Sequence, residues 1–334
     1  MEMNNDTVHV AMASNRRYLP GLMSALYSMQ THASDPDRVV VHVLETDFGE
    51  PEKEMVKRFA GKMKVDYRYI DEGEISRSFN VGWNGSVISW ARLWLPDMLE
   101  NQEMCIYSDV DTLWFDDVTA LWDSTHRRMK KESKSVYWVR DAASTRISVA
   151  SWHKTIDPTF DCDLYGNSGI MVMNLARMRE VKFANAAMGF VREHGFPHFP
   201  DQGVYNALLH RDCGFLDGKW NALEMRRYYK SGCVLHVYSV GKYFGYLTSG
   251  ELPLTLRPLY RFWFAYYEKM AREMNENVKH NPMPVLARIA IWMIGILYVP
   301  RYCIRIMFPF MSSRHVDSLS HFNFYSWMWK KWLR

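Results

Sequence analysis

Cys105-Ile106-Tyr107-Ser108-Asp109-Val110-Asp111-Thr112-Leu113-Trp114-Phe115 is the stretch on which the reading of this chain turns. The apolar run Met104 to Ser108 has the length of a buried strand, and it ends in two aspartates one residue apart. Carboxylates this close repel each other, and folded proteins compensate such pairs with a cation or a shared proton. Hard oxygen ligands that leave coordination positions open for phosphate suit magnesium or manganese. Aspartate is also common where a strand passes into a turn, so the tripeptide alone leaves both readings open.

Upstream, Thr7 to Ala13 reads as a first strand, followed by the loop Ser14-Asn15-Arg16-Arg17. Leu19 to Met29 has helical spacing, with Pro20 acceptable in its first turn. Val39 to Glu45 is an apolar run of the buried parallel type, Glu50 to Lys62 an amphipathic helix, and Val65 to Ile70 a third strand. Alternating strands and helices predict an α/β sheet wound with right-handed crossovers. Such sheets bind ligands beyond the carboxyl ends of their strands, where Asn15 and Asp109–Asp111 both fall.

Ile88 to Leu99 reads as a helix carrying Arg92, whose planar fork suits either a carboxylate or a phosphate. Downstream, Ser135 to Arg140 is a strand ending at Asp141. In Tyr165 to Asn174 a turn of small residues, Gly166-Asn167-Ser168-Gly169, opens an apolar strand. Phe183 to His194 is helical, and a loop from Phe196 to Gln202 precedes a helix from Gly203 to Leu209, with Asp201 placed as an ordinary N-cap. Val234 to Tyr238 is a strand carrying His236, followed by Ser239-Val240-Gly241-Lys242. A single strand histidine is more often structural than a ligand, but imidazole beside two carboxylates is a familiar manganese set, and a lysine can meet a phosphate as a point charge. No phosphate-cradling GxxxxGK[ST] loop is present.

At 334 residues the chain can bury one large core or two modest ones. Its five cysteines are scattered without CxxC spacing, which argues against a disulfide framework or a zinc site and fits a reducing compartment. MEMNNDTVHV lacks the basic start and apolar core of a signal peptide. The net charge of +4 is concentrated at the end: residues 280–334 hold seven Lys or Arg against the single acid Asp317. Leu256 to Val278 is an aromatic-rich helix candidate, and Ile289 to Val299 is too short an apolar run to span a bilayer, which takes about 20 residues. The mixture of Arg288, Arg301, Arg305 and Arg314 with Trp327, Trp329, Lys330, Lys331, Trp332 and Arg334 is that of a segment lying on an anionic membrane surface, the other reading being a C-terminal helical cap whose apolar side is core. Basic charge without a recognition motif gives no ground for nucleic acid.

Together YSDVDTLWFDDVTALW, SWARLWLPDML, NSGIMVMNLARMR, PDQGVYNALL and LHVYSVGKYF resemble, in order, glycosyltransferase family 8, which includes glycogenin and bacterial lipopolysaccharide α-glucosyl- and α-galactosyltransferases. The resemblance covers roughly Val8 to Phe244. It implies a Rossmann-like GT-A fold, here placed over 1–250, while the aromatic and cationic composition beyond it marks 251–334 as a helical, membrane-associating region. It also implies a UDP-sugar donor, a manganese ion (with magnesium as the substitute) and retention of anomeric configuration. On it, Asp109, Asp111 and His236 would hold the metal; Ala11, Ala13 and Asn15 would lie against uridine; Gly241 and Lys242 would contact the diphosphate, with Arg92 close by. Asn167, Gly169, Asp141, Asp201 and Gln202 would surround the sugar, the last three as catalytic residues. The chain departs from the pattern at Ala13-Ser14-Asn15-Arg16, where relatives often carry an acid and an aromatic residue, and at the Ser239–Phe244 motif.

The expected reaction is transfer of a hexose, galactose or glucose, to a lipopolysaccharide, lipid-linked or other saccharide acceptor, at the cytoplasmic face of the cell membrane. Retention by double displacement needs a nucleophile, and an amide at Gln202 is a poor one, so attack on the face the leaving group departs from is preferred. Two other functions compete: a sugar nucleotidyltransferase, whose Gly-rich N-terminal loop SNRRYLPG matches poorly, and a non-catalytic nucleotide-sugar-binding scaffold.

Overall fold

A computed structural model describes residues 7–78, 88–223, 232–238, 240–244, 247 and 258–274. Two compact units are distinguished, one within 1–223 and 232–238 and the other within 224–231 and 239–334.

The first unit is built on a sheet of seven strands: β1 (Val8–Ser14), β2 (Val39–Glu45), β3 (Lys64–Tyr69), β4 (Met104–Ser108), β6 (Val136–Arg140), β7 (Gly166–Asn174) and β8 (Cys213–Phe215). Their order is β3-β2-β1-β4-β7-β6-β8. The first four run parallel, as the alternating pattern predicts, but β7 lies antiparallel between β4 and β6. Strand alternation divides the side chains: Val8, Val10 and Met12 enter one core with Leu22, Leu26 and Met29 of the helix Leu19–His32, and Ala11 and Ala13 enter the other with Trp90, Phe183 and Tyr205. Helical layers thus cover both faces, and strands buried on both sides read as continuous apolar runs.

Three local findings shape the site. The register of β7 against β6 slips between Trp138 and Val139, which pair with Met171 and Asn167, so Ser168 to Ile170 bulge without a partner on β6. The small residues expected to form a turn before the strand therefore lie within it, and the bulge is what they permit. Secondly, Ile88–Trp94 is a 3-10 turn followed by a short α-helix, Leu95–Met98, instead of one helix to Leu99. Pro96 explains the break, because in a continuous α-helix it would lack the N–H for the Arg92 carbonyl four residues back and clash with it; the Tyr205 hydroxyl donates to that carbonyl at 2.8 Å. Thirdly, β5 (Thr112–Trp114) and β9 (Val234–His236) form a separate antiparallel pair in which Thr112 faces His236.

In the second unit, Val240–Tyr243 is a 3-10 turn and Pro258–Glu273 a helix, on which Trp263 stacks with Phe244 at 4.7 Å between ring centres. No helix among the described residues is long and apolar enough to cross a bilayer. Residues 280–334, expected to meet a membrane, lie outside the described residues.

Candidate active site

Strand β4 ends at Ser108, and the Asp109 N–H donates to the Gly169 carbonyl at 2.8 Å, so the aspartates occupy the turn opposite the β7 bulge. The Val237 N–H donates to the Asp111 carbonyl at 2.8 Å, tying the end of β9 to the same turn. His236, distant in sequence, thereby arrives beside both acids. Its Nε2 lies 3.2 Å from Asp111 Oδ1 and 4.0 Å from Asp109 Oδ2. One ligand atom from each of Asp109, Asp111 and His236 falls within 4.8 Å of the others. Two hard oxygens and one imidazole nitrogen at that spacing fit a divalent cation of the manganese or magnesium type.

The titration behaviour matches the crowding. Removal from water and the neighbouring Asp111 push the Asp109 carboxyl up, against the pull of Arg92 and His236. Burial works against a charged His236, but Asp111 and Asp109 outweigh it and raise its affinity for a proton. Both groups therefore hold a proton more readily than they would alone in water.

Arg92, 4% exposed, braces this corner. Its Nη2 donates to Asp109 Oδ1 at 2.8 Å, its Nε lies 3.1 Å from Asp201 Oδ2, and its Nη1 donates to the Ser168 carbonyl at 3.0 Å. The guanidinium lies 4.3 Å from the centre of the Tyr107 ring, whose hydroxyl donates to Asp109 Oδ1 at 2.9 Å. All three guanidinium nitrogens are engaged by protein, so here Arg92 orients carboxylates.

Asp201 is not the N-cap expected of it. Pro200 opens the helix Pro200–Leu209 and puts the cap at Phe199, leaving Asp201 buried in the first turn against Arg92. Gln202 donates from Nε2 to Asp141 Oδ2 at 2.8 Å and to the Tyr165 hydroxyl at 3.2 Å, and its Oε1 accepts from the Ser168 N–H at 3.0 Å. Asn167 Nδ2 donates to the same Asp141 oxygen at 3.2 Å. Asp141, Asn167 and Gln202 therefore form one polar wall around the bulge. Gly169 is required by close approach, since a Cβ there would lie 2.2 Å from His236 Cε1.

The other expected residues are placed less tightly. Ala11 has no exposed surface and packs with Leu44 and Tyr107, beneath the end of β1. Ala13 is 7% exposed, and Asn15 uses its side chain to accept from the Tyr18 N–H at 3.3 Å, capping the turn Arg16–Tyr18. Gly241 and Lys242 lie in the Val240–Tyr243 turn of the second unit, with Lys242 exposed. Residues that the sequence reading missed are Tyr107, Tyr165, Ser168 and Asn221. The last is 1% exposed between Trp220 and Ala222, and a lone amide in an apolar run demands partners.

A sheet with this topology, a bulged strand opposite an acidic turn and an Asp–Asp–His group define the GT-A class of fold. The chain belongs to glycosyl transferase family 8, whose model matches residues 9–237. It is 27% identical over 195 residues to probable galacturonosyltransferase-like 8 of Arabidopsis thaliana, covering 52% of this chain and 47% of that protein. It is 23% identical over 226 residues to general stress protein A of Bacillus subtilis (strain 168), covering 65% and 74%. The chain spans about half the length of the curated plant relatives it matches. Among solved structures, the bifunctional glycosyltransferase WbbM in its apo form superposes with a TM-score of 0.63 at 17% identity, covering 82% of this chain and 52% of that one. The galactosyltransferase LgtC, in complex with donor and acceptor sugar analogs, gives 0.58 at 17% identity, covering 82% and 98%. These likenesses establish the GT-A fold.

Proposed function

We propose that the chain is a retaining hexosyltransferase that moves galactose or glucose from a UDP-sugar to a saccharide acceptor on lipopolysaccharide or another lipid-linked glycan. One observation carries this reading: the Asp109–Asp111–His236 group, its ligand atoms within 4.8 Å of one another, sits against the polar wall of Asp141, Asn167 and Gln202. Family membership supports transferase chemistry, and LgtC, solved with donor and acceptor sugar analogs, supports sugars on both sides of the reaction. Manganese, or magnesium in its place, would be held by Asp109 Oδ2, Asp111 and His236 Nε2 and would supply Lewis-acid stabilisation of the departing diphosphate.

The protein groups divide the remaining work. Arg92 and Tyr107 occupy Asp109 Oδ1, which aims the other oxygen at the cation position. Asp141, Asn167 and Gln202 offer acceptors and donors to sugar hydroxyls, and their mutual hydrogen bonds hold them ready before the donor arrives. Gln202 is fixed at both ends of its amide, which suits support of an oxocarbenium-like carbon and not nucleophilic attack. Same-face attack is therefore the proposed route to retention, with Asp201 and Gln202 bordering the reacting carbon. Trapping a sugar covalently attached to Asp201 or Asp141 would overturn it. By the family resemblance, Lys242 and Gly241 meet the diphosphate, and Asn15 and Ala13 the uridine.

Calorimetry with UDP, with and without manganese, followed by a screen of UDP-sugars for hydrolysis, tests the assignment. Manganese-dependent UDP binding and hydrolysis of one UDP-hexose are expected, both lost in Asp109→Asn and Asp111→Asn with the fold retained. UDP binding indifferent to manganese, with no hydrolysis, would refute it. We further propose catalysis within 1–250 and attachment of residues 251–334 to the inner face of the cytoplasmic membrane. A chain ended near residue 280 should then stay in the supernatant when anionic vesicles are sedimented, while the full chain pellets; pelleting of both would refute the attachment.

A further inference from the structure

Asn221 closes the 3-10 turn Gly218–Asn221, and its side chain joins two elements of the site. It lies 2.9 Å from His236 Nδ1 through Oδ1 and donates from Nδ2 to Asn167 Oδ1 at 2.8 Å. Its orientation follows from its partners. The Gly169 backbone N–H can only donate, and it does so to Asn167 Oδ1 at 2.9 Å, which makes that atom an oxygen. Asn221 must present its NH2 to the same oxygen, and its carbonyl is left facing His236. A carbonyl can only accept, so the imidazole carries a proton on Nδ1 whether or not Nε2 is also protonated. The far end agrees: Asn167 gives its NH2 to Asp141 Oδ2, an acceptor that also receives Gln202.

We propose that Asn221 is a positioning residue that makes His236 a metal ligand, by holding the Nδ1–H tautomer and turning the Nε2 lone pair toward Asp109 and Asp111. Asn167 ties this choice to Asp141 in the sugar pocket. In the opposite tautomer a proton would stand where the cation binds, and the Nδ1 lone pair would face the Asn221 oxygen. A hydrogen-bond acceptor behind a ligating imidazole fixes its ring and raises its basicity. The inference rests on the reading of Asp109, Asp111 and His236 as a cation site.

The test uses the full chain and manganese alone. In metal-free protein labelled with 15N-histidine, a long-range 1H–15N spectrum at about pH 9, where a histidine is neutral, should show His236 protonated at Nδ1; its signals are identified by their loss in His236→Gln. Asn221→Leu should weaken manganese binding by roughly 10- to 100-fold. An Nε2–H tautomer in the parent overturns the proposal, as does parental affinity in Asn221→Leu. If the parent fails to bind manganese, the cation reading falls with it; if the parent binds and Asn221→Leu matches it, only the role of Asn221 falls. Should Asn221→Leu not fold, the parent spectrum decides.

Discussion

Gly169→Ala tests the site at its tightest point. The added Cβ would stand 2.2 Å from His236 Cε1, 2.5 Å from His236 Nδ1 and 3.0 Å from Asn167 Oδ1. Ordinary contact begins at about 3.5 Å, so relief requires a displacement of about 1 Å. The ring has little room to supply it, because Nδ1 is held by Asn221 at 2.9 Å and Nε2 faces Asp111 at 3.2 Å. The backbone is equally constrained, since the Gly169 N–H and carbonyl are both bonded, to Asn167 and Asp109. Overpacking of this kind costs about 1–3 kcal/mol of stability. Metal sites tolerate about 0.2 Å in ligand distance, and a misplacement of about 1 Å costs on the order of 100-fold in rate. Gly169→Ala should therefore bind manganese at least about 10-fold more weakly and turn over on the order of 100-fold more slowly, by calorimetry and by UDP-sugar hydrolysis. The matched control is Gly189→Ala in the helix Phe183–His194, where an added Cβ meets nothing within 4 Å. That change should leave manganese binding unaltered and stabilise the fold by about 0.5–1 kcal/mol through helix propensity. Unchanged manganese affinity in Gly169→Ala would refute the packing of Gly169 against His236.

Arg92→Met should cost about 3–5 kcal/mol, because it strands Asp109 and Asp201 without their shared partner, and thermal unfolding should show a drop on the order of 10 °C; a drop below about 2 °C would show that Arg92 does not neutralise them. Manganese binding should release protons, since burial with Asp111 raises the Asp109 pKa and the two aspartates raise that of His236 despite burial, and metal ligands must be deprotonated. Affinity should accordingly fall as pH drops through neutrality, and calorimetry in two buffers of different ionisation enthalpy should detect the protons. Equal heats would exclude the release. His153, stacked on Phe160 at 4.4 Å, has its pKa lowered to about 4 by burial and by His210. The unfolded chain takes up that proton near 6.5 and the folded chain only near 4, so stability present above 6.5 is lost as pH falls between them. His153→Phe should flatten the loss in a urea series across that range, and an unchanged slope would count against it.

Much of this architecture was legible because its signals are local. Val39–Glu45 and the run before Asp109 appear as written, since strands buried on both faces carry unbroken apolar runs. The antiparallel placement of β7 was not legible, because apolar strands carry no mark of direction. The bulge at Ser168–Ile170 shows in sequence only as small residues, which serve turns equally well. His236 was named from the family resemblance of LHVYSVGKYF, but the three-residue pairing that delivers it, Thr112 opposite His236, is too short to leave a pattern. Two errors had a readable cause: Pro96 breaks the helix expected across Arg92, and Pro200 displaces the cap from Asp201.

The role of Arg92 follows from a count of what it must satisfy. Asp109, Asp111, Asp141 and Asp201 converge on one corner, where Arg92 meets Asp109 and Asp201 and His236 meets Asp109 and Asp111. Amides from Asn167 and Gln202 satisfy Asp141 without charge. Arg92 then binds Asp109 and Asp201 through different nitrogens and reaches the carbonyls of Ser89 and Ser168 as well. A lysine ammonium has three donors about a single point and cannot span those four partners; a planar fork with five can.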